Sequence, residues 1–259
     1  MASRALARTG RRAVDFVHDL GRLTAFGMSV ANWSRRRPFR LRRLIDEMYD
    51  IGVLSLAVIG VSGVAVGMVL GLQGYNTLVR FGAEESLGAV VGLSLVRELG
   101  PVLTALLVAG RAGSAIAAEI GSMVVTEQLD GLRMMSIHPI DFVVAPKVLA
   151  MIACMPLLSS LFIVLGLFGG YLVGVVFLGV DPGSYLTGLE EAVEFSEDVL
   201  GSLIKAFVFG ILVALVATYR GFTAAPSAAG VSAATTSTVV VASVSTLIVD
   251  YLITALWGV

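Results

Sequence analysis

Three charged residues stand inside long apolar segments, where charge is costly. Arg97 and Glu98 are adjacent in the segment SLVRELGPVLTALLVAGRAG, and Lys205 stands inside another apolar run. A charged side chain at the centre of a bilayer costs on the order of 3 kcal/mol on insertion scales, so it normally faces protein or a water-filled cavity. These residues therefore predict ion pairs that lock helices together or the polar lining of a transport path, and the two interpretations are compatible.

The sequence around the charges predicts how they are arranged. Neighbouring residues on a helix point about 100° apart, so Arg97 and Glu98 are expected to reach different partners. We predict that Lys205 pairs with Glu98, because its long stem can reach inward from its apolar run. Gly100-Pro101 follows the charges, and proline disfavours helical geometry at the residue before it, so we expect a kink or break there. Inside a membrane, irregular backbone is tolerated only where it is buried in protein or lines a cavity, so charges beside such a break favour a cavity wall.

A glycine pattern in the first apolar run marks a second candidate region. Gly63, Gly67 and Gly71 are spaced four residues apart, which allows close helix packing either within the chain or across a homodimer seam. Four residues around the end of this glycine face are apolar, one of them a tyrosine with a polar hydroxyl group, and such residues would suit acyl chains. These four residues are Leu70, Leu72, Tyr75 and Leu78. Together with the three charged residues, they form the predicted substrate-binding site.

Composition places these residues in a polytopic membrane protein. Of the 259 residues, 57% are hydrophobic and 14% are charged, and the mean hydropathy is +0.91; soluble domains carry about 25% charged residues. Four apolar runs reach the roughly 20 residues that a helical crossing needs, and a fifth, shorter span is predicted near the C-terminus. The predicted spans are Ile51–Val79, Ser86–Gly110, Val148–Val180, Val199–Tyr219 and a fifth within Gly221–Val249 that begins near Ala234. The predicted fold is all-α, with about five transmembrane helices.

Charge distribution predicts the orientation of the chain. Eleven of the 18 basic residues precede residue 44, and basic flanks of a first span stay in the cytoplasm. The start lacks the apolar region and cleavage site of a signal peptide. The segment Ala13–Val30 is amphipathic, which predicts a helix in the membrane interface or a cytoplasmic helix docked on protein. With five spans, the N-terminus is cytoplasmic, and the acidic segment Asp181–Asp198 and the C-terminus lie on the other side.

The chain is accordingly divided into a basic amphipathic interfacial segment, residues 1–45, and a transmembrane domain, residues 46–259. Its longest predicted cytoplasmic loop, Arg111–Lys147, is too short for a catalytic domain. Cys154 is the single cysteine, and the sequence contains no Cys/His cluster, nucleophile elbow or phosphate-binding glycine loop. We therefore expect no catalytic site, no metal, no cofactor and no nucleic-acid ligand in this chain.

Three stretches carry a specific resemblance. They are SGVAVGMVLGLQGY, SLVRELGPVLTALLVAGRAGSAIAAEIGSM and TEQLDGLRMM. They closely resemble the MlaE (YrbE) family of permeases, which serve lipid transport systems built around MCE-domain proteins, and the resemblance covers nearly the whole chain after residue 45. It implies a homodimer in the bacterial inner membrane that moves phospholipid between the inner and outer membranes, maintaining outer-membrane lipid asymmetry. The implied partners are a cytoplasmic ATPase that binds ATP (MlaF-like), a STAS-domain subunit (MlaB-like) and a periplasmic MCE hexamer (MlaD-like).

A permease without a nucleotide site needs a cytoplasmic element that docks on an ATPase. The segment EIGSMVVTEQLDGLRMMSIHP is the best candidate, and we expect in it a short helix ending near Gly131 or His138-Pro139. Glu127, Gln128 and Asp130 are its predicted ATPase contacts, whereas the alternative is a helix lying on the membrane surface. Resemblance to the family's coupling region favours the first interpretation.

Two other classes of function are open. An ion-gradient-driven secondary transporter would use Arg97, Glu98 and Lys205 as a proton or ion relay. We see no inverted repeat with paired broken helices, which such transporters often have, and five spans are few for that mechanism. A structural scaffold without transport is disfavoured by the charges at the centre of the spans.

Overall fold

The computed structural model describes residue 18, residues 21–32 and residues 41–257 of the chain. Regular structure in these ranges is entirely helical. The predictions for the rest of residues 1–40 and for the C-terminal Val259 lie outside the described residues. We number the helices along the chain: α1 (21–32), α2 (Leu41–Ile51), α3 (Leu56–Leu78), α4 (Leu87–Ser94), α5 (Gly100–Val108), α6 (Ser114–Val125), α7 (Gln128–Met134), α8 (Ala145–Tyr171), α9 (Pro182–Ala192), α10 (Leu200–Phe222) and α11 (Ala228–Trp257).

Five helical stretches are long and apolar enough to cross a membrane, as the sequence predicted. They are Leu41–Phe81, Glu84–Val125, Ile140–Phe177, Phe195–Phe222 and Ala228–Leu256. Several of them join α-helices through π-helical segments, which are Leu95–Leu99, Ala109–Gly113, Ile140–Val144, Leu172–Phe177 and Phe195–Val199. We call the end of the bundle that carries α7 the α7 end, and the end that carries α9 the α9 end.

Two helices extend beyond the predicted spans. The helix of the second span does not stop at Gly110, so the predicted loop from Arg111 begins as helix and continues to Val125. The stretch SAIAAEIGSMVV contains good helix formers and buries one face through Ile116, Ala117 and Ile120, which sustains the helix. The fifth helix begins at Ala228 rather than near Ala234, because Ala, Ser and Thr do not interrupt it.

The break expected after Gly100 is also absent. Gly100 opens α5, and Pro101 lies in its first turn, where a missing backbone N–H is tolerated. The irregularity comes before the proline, as the π-helical segment Leu95–Leu99 that holds both charges. One continuous helical rod, Glu84–Val125, therefore runs from the α9 end to the α7 end.

The glycine face of α3 packs within the chain. Positions 63, 67 and 71 lie against the backbone of α8 at Phe162, Gly166 and Gly170, and a Cβ atom added at Gly67 would overlap the Gly166 carbonyl oxygen. Small residues on both helices thus let the two backbones approach closely. This finding decides between the two interpretations of the pattern, because α8 occupies the face that a homodimer seam would need.

The two ends of the bundle are held by aromatic contacts. Phe26 of α1 packs against Tyr219 and Phe222 of α10, with ring centroids 5.6 and 5.7 Å apart. The described part of the amphipathic segment therefore contacts protein, and its position in the membrane interface stays a prediction. At the other end, Tyr185 anchors α9 in edge contact with Tyr171 at 5.6 Å. Burial raises the pKa of Tyr185 to about 12, so its phenol is neutral at physiological pH.

Candidate functional site: a charged pocket between three spans

Lys205 lies at the centre of the site. Its side chain is 9% exposed, and its Nζ donates hydrogen bonds to Glu98 Oε1 at 2.9 Å, to Thr254 Oγ1 at 2.8 Å and to the Arg97 carbonyl oxygen at 2.9 Å. Asp250 Oδ1 lies 3.4 Å from the same nitrogen. The predicted pair of Lys205 with Glu98 is confirmed, and the ammonium group has a partner for each of its three donors.

Pro101 helps to create this arrangement. In an α-helix the carbonyl of Arg97 would accept from the N–H four residues later, and that residue is Pro101, which has none. The Arg97 carbonyl instead accepts from Lys205. The Gly-Pro pair therefore frees a backbone acceptor for the buried cation, while Arg97 and Glu98 in the π-helical segment before it pair with different residues of the stretch Phe195–Phe222.

Arg97 reaches a separate partner, as predicted. Its Nε lies 2.6 Å from Asp198 Oδ1, and the Asp198 side chain is 2% exposed, whereas that of Arg97 is 37% exposed. The other carboxylate oxygen of Asp198 accepts from the backbone N–H of Glu194 at 2.8 Å. The rod is thereby tied to the first turns of the α10 span by two ion pairs that share no residue.

These side chains surround a small pocket that opens to the surface of the chain. Its volume is ≈ 30 Å³. The lining residues are Arg97, Glu98, Glu197, Asp198, Gly201, Ser202, Lys205, Ile253 and Thr254. Counting Asp250, which pairs with Lys205, four carboxylates and two cations lie in or next to the pocket. The pocket is therefore strongly polar and carries groups of both charges.

Sequence reasoning missed three members of this site. Asp198 was grouped with the acidic segment outside the membrane, although it is almost fully buried. Asp250 and Thr254 lie in α11, beyond the predicted end of the fifth span at Val249. Asp250 carried a usable signal, since an acidic residue followed by the apolar residues YLITALW marks an intramembrane ionisable group.

The predicted apolar wall does not meet the charged pocket in a single chain. Leu70, Tyr75 and Leu78 are half-buried against the hydrophobic core, and Leu72 is 47% exposed. None of the four lines the pocket around Lys205. Their assignment to substrate stays a prediction, and it would need walls that a single chain does not supply.

The predicted coupling residues lie at the α7 end. Glu127 adopts a left-handed backbone conformation (φ 56°) between α6 and α7, and Gln128 opens α7. Both are exposed, and so is Asp130, which pairs with Arg133 at 2.7 Å. Leu129 is buried and anchors the helix. The short helix ends at Met134, between the two ends expected from the sequence.

A second buried cation lies near this end. Lys147 of α8 is 3% exposed and lies 2.7 Å from Glu47 of α2 and 2.7 Å from Glu119 of α6. Arg111 of the rod donates to the Asp50 carbonyl oxygen and, at 3.2 Å, to Ser55 Oγ. Sequence reasoning took Lys147 and Arg111 only as basic flanks of spans. In the fold they tie the rod to α2 beside α7.

Comparison with known proteins places these features in a family. A family profile described as Permease MlaE matches residues 44–256. The chain is 47% identical over 253 residues to the intermembrane phospholipid transport system permease protein MlaE of Haemophilus influenzae, covering 97% of this chain and 96% of that protein. It is 43% identical over 248 residues to a probable ABC transporter permease protein of Rickettsia bellii, covering 96% and 95% of the two chains. The chloroplastic protein TRIGALACTOSYLDIACYLGLYCEROL 1 of Arabidopsis thaliana is 33% identical over 214 residues, with 83% of this chain and 61% of that protein covered.

Proposed function

Because this chain belongs to the MlaE permease family, we propose that it is the membrane-spanning permease of an ABC-type phospholipid transport system. It moves phospholipid between the inner and outer membranes and so maintains outer-membrane lipid asymmetry. A separate ATPase subunit binds and hydrolyses ATP, and this chain is a transporter subunit, not an enzyme. The observation that carries the proposal is the family match along almost the whole chain, supported by five membrane-spanning helices around paired charges.

The ion-driven alternative is not favoured. Relatives that match almost the whole chain are named ABC transporter permeases, which draw their energy from a nucleotide-binding partner. Within the described residues, Lys205 and Arg97 are each held by a carboxylate in an ion pair. A proton relay would need groups that release and regain such partners during each cycle, and an arginine is effectively always charged.

The size of the charged pocket supports a homodimer. A pocket of ≈ 30 Å³ has room for about one water molecule and not for a phospholipid. A second copy facing this pocket would supply the missing walls and enlarge it into a cavity. In that arrangement the charged groups receive the head group, and apolar residues such as Leu72 and Tyr75 receive acyl chains.

The α7 end supports docking of the ATPase. The exposed residues Glu127, Gln128 and Asp130 lie beside Met134 and Met135, which are 84% and 63% exposed. Polar groups around exposed methionines form a surface suited to a protein partner. The rod ends at Val125, two residues before Glu127, and contains Arg97 and Glu98, so movement of α7 on closure of the ATPase would be passed to the pocket through the rod.

The remaining assignments follow from this placement. The protein lies in the bacterial inner membrane with the α7 end and the N-terminus in the cytoplasm, and the α9 end and the C-terminus in the periplasm. A STAS-domain subunit (MlaB-like) would accompany the ATPase (MlaF-like), and an MCE hexamer (MlaD-like) would sit at the α9 end. These three partners rest on the family resemblance.

Charge reversal on the α7 surface tests the ATPase partner. We expect the double variant Glu127→Arg, Asp130→Arg to lose most of the ATPase that co-purifies with the permease, because two exposed contacts change sign. Insertion and yield should be unchanged, since neither side chain is buried. The matched control is Glu84→Arg, Glu85→Arg, which makes the same charge change at the α9 end. Equal ATPase recovery in both double variants would show that α7 is not the docking surface.

Cysteine labelling tests the orientation. In a background with Cys154→Ala, a cysteine at Ser184 is expected to react with a membrane-impermeant thiol reagent in intact spheroplasts. A cysteine at Ser136 should react only after lysis, because the α7 end faces the cytoplasm. Both positions lie outside the five spans. The opposite labelling pattern would invert the topology and place the coupling surface on the wrong side.

A further inference from the structure

A second cavity lies beside the charged pocket, at the α9 end. Its volume is ≈ 350 Å³, and its walls come from α8, α9, the first turn of α10 and the π-helical segment of the rod. Most of the lining is apolar, including Ile163 and Leu167 of α8 and Leu189 of α9. We call this space the side cavity. Its size and lining are those of a site for a small apolar ligand or one chain of a larger one.

The side cavity and the charged pocket share a wall residue. Ser202 lines both spaces, and it is 3% exposed. Val96 and Val199 line the side cavity, and each is adjacent in the chain to a residue of the Arg97–Asp198 ion pair. The wall of the side cavity therefore includes the sequence neighbours of both members of this ion pair.

The wall contributed by α9 is a built part of the fold. Tyr185 holds α9 against the bundle, and a Cβ atom added at Gly92 would overlap Leu189 Cδ1. The absence of a side chain at position 92 thus makes room for Leu189. Because α9 is fixed in this way, the carboxylate that follows Leu189 is held at the mouth of the cavity.

That carboxylate, Glu190, gives the cavity a charge preference. Glu190 is exposed and lines the cavity, and among the described residues it has no ion pair or hydrogen bond through its side chain. The surrounding segment Asp181–Asp198 contains no Lys or Arg. A cationic group at the mouth would be attracted, whereas an anionic head group without a cation would be repelled.

We propose that the side cavity binds a phospholipid with an amine-containing head group, with one acyl chain in the cavity and the ammonium group beside Glu190. This inference rests on the proposed function and names the lipid class that the permease favours at the α9 end. Lipid binds at this site before it enters the charged pocket or after it leaves. From it, lipid exchanges with the charged pocket past Ser202.

Photocapture tests the occupant of the cavity. The photoreactive amino acid p-benzoylphenylalanine is placed at Leu167 in the full chain, the complex is purified in detergent, and it is irradiated only then. Covalent phospholipid adducts at Leu167 are expected by mass spectrometry. The same residue at Phe168 is the control, because Phe168 is adjacent on α8, is 56% exposed and does not line the cavity. Equal capture at both positions, or capture of a protein segment at Leu167, would overturn the proposal.

The head-group class is tested on the same complex, purified from cells that contain both phosphatidylethanolamine and phosphatidylglycerol. Phosphatidylethanolamine should dominate the adducts at Leu167. Glu190→Lys should lower its ratio to phosphatidylglycerol by about threefold to fivefold, the scale of a partly exposed ion pair. Glu191→Lys should leave the ratio unchanged, because Glu191 does not line the cavity. An identical ratio in both variants would refute the role of Glu190 and with it the proposal.

ATP-dependent lipid transfer by the wild-type complex separates this proposal from the proposed function. Transfer is measured on the wild-type complex, and capture is measured on the complex with the photoreactive residue at Leu167. Transfer with no capture at Leu167 would reject the side cavity and leave the permease function standing. Capture at Leu167 with no ATP-dependent transfer would reject the permease function and leave lipid binding at the side cavity standing.

Discussion

Replacement of Lys205 by methionine is expected to abolish lipid transfer and to destabilise the folded permease by up to about 3 kcal/mol, the low end of the range for breaking a buried charge pair, because the Glu98 side chain is 40% exposed. Methionine keeps the length of the stem but removes the ammonium group, which leaves Glu98 and Asp250 facing each other without a cation. Thermal unfolding in detergent measures the stability, and transfer of labelled phospholipid measures the activity.

The companion variant is Glu98→Gln, which should cost less than Lys205→Met. In Glu98→Gln the ammonium group keeps Asp250, Thr254 and the Arg97 carbonyl oxygen as partners. The double variant should be more stable than the sum of the two single effects predicts, because the two residues interact directly. Strict additivity, or a larger cost for Glu98→Gln, would show that Lys205 does not hold the site together.

The second large effect is expected at the contact between α3 and α8. Gly67→Ala should destabilise the fold by about 1–3 kcal/mol, because the new methyl group overlaps the backbone carbonyl of Gly166 and the two helices must move apart. A flexible side chain could yield to such an overlap, but a helix backbone cannot do so locally. The midpoint of thermal unfolding in detergent measures the change.

Gly110→Ala is the matched control for this contact. A Cβ atom added at Gly110 meets no heavy atom within 4 Å, and alanine is the better helix former by about 1 kcal/mol. The control should therefore be neutral or slightly stabilising. If Gly67→Ala were equally well tolerated, the close approach of the two backbones would be refuted.

Composition and charge were sufficient to predict the number of spans and one ion pair. Long uncharged runs locate apolar helices directly, since the cost of burying charge in lipid is high for every residue. The Glu98–Lys205 pair was predictable because few charges stand inside the predicted spans and each needs a partner. Asp250 was not predicted as a member of the site because the predicted fifth span ended one residue before it.

Other features depend on tertiary contacts that a single sequence does not specify. The glycine face at Gly63, Gly67 and Gly71 indicates close packing but does not name the partner helix, which is α8. The rod passes through Pro101 without breaking, and the Arg97 carbonyl, to which Pro101 cannot donate, accepts from Lys205 instead. Leu70 and Leu72 share an apolar character but, two residues apart on α3, point to different faces of the helix, so a common role was not decided by the pattern.

We propose that ATP hydrolysis by a partner drives phospholipid through the charged pocket of this permease. The most direct test is transfer of labelled phospholipid by this chain reconstituted with the proposed ATPase, STAS-domain and MCE partners, between proteoliposomes and acceptor vesicles. We predict transfer that requires hydrolysable ATP, persists when ionophores collapse the ion gradients, and is lost in Lys205→Met. Transfer that stops with the ionophores and continues without ATP would contradict the account and favour an ion-driven transporter.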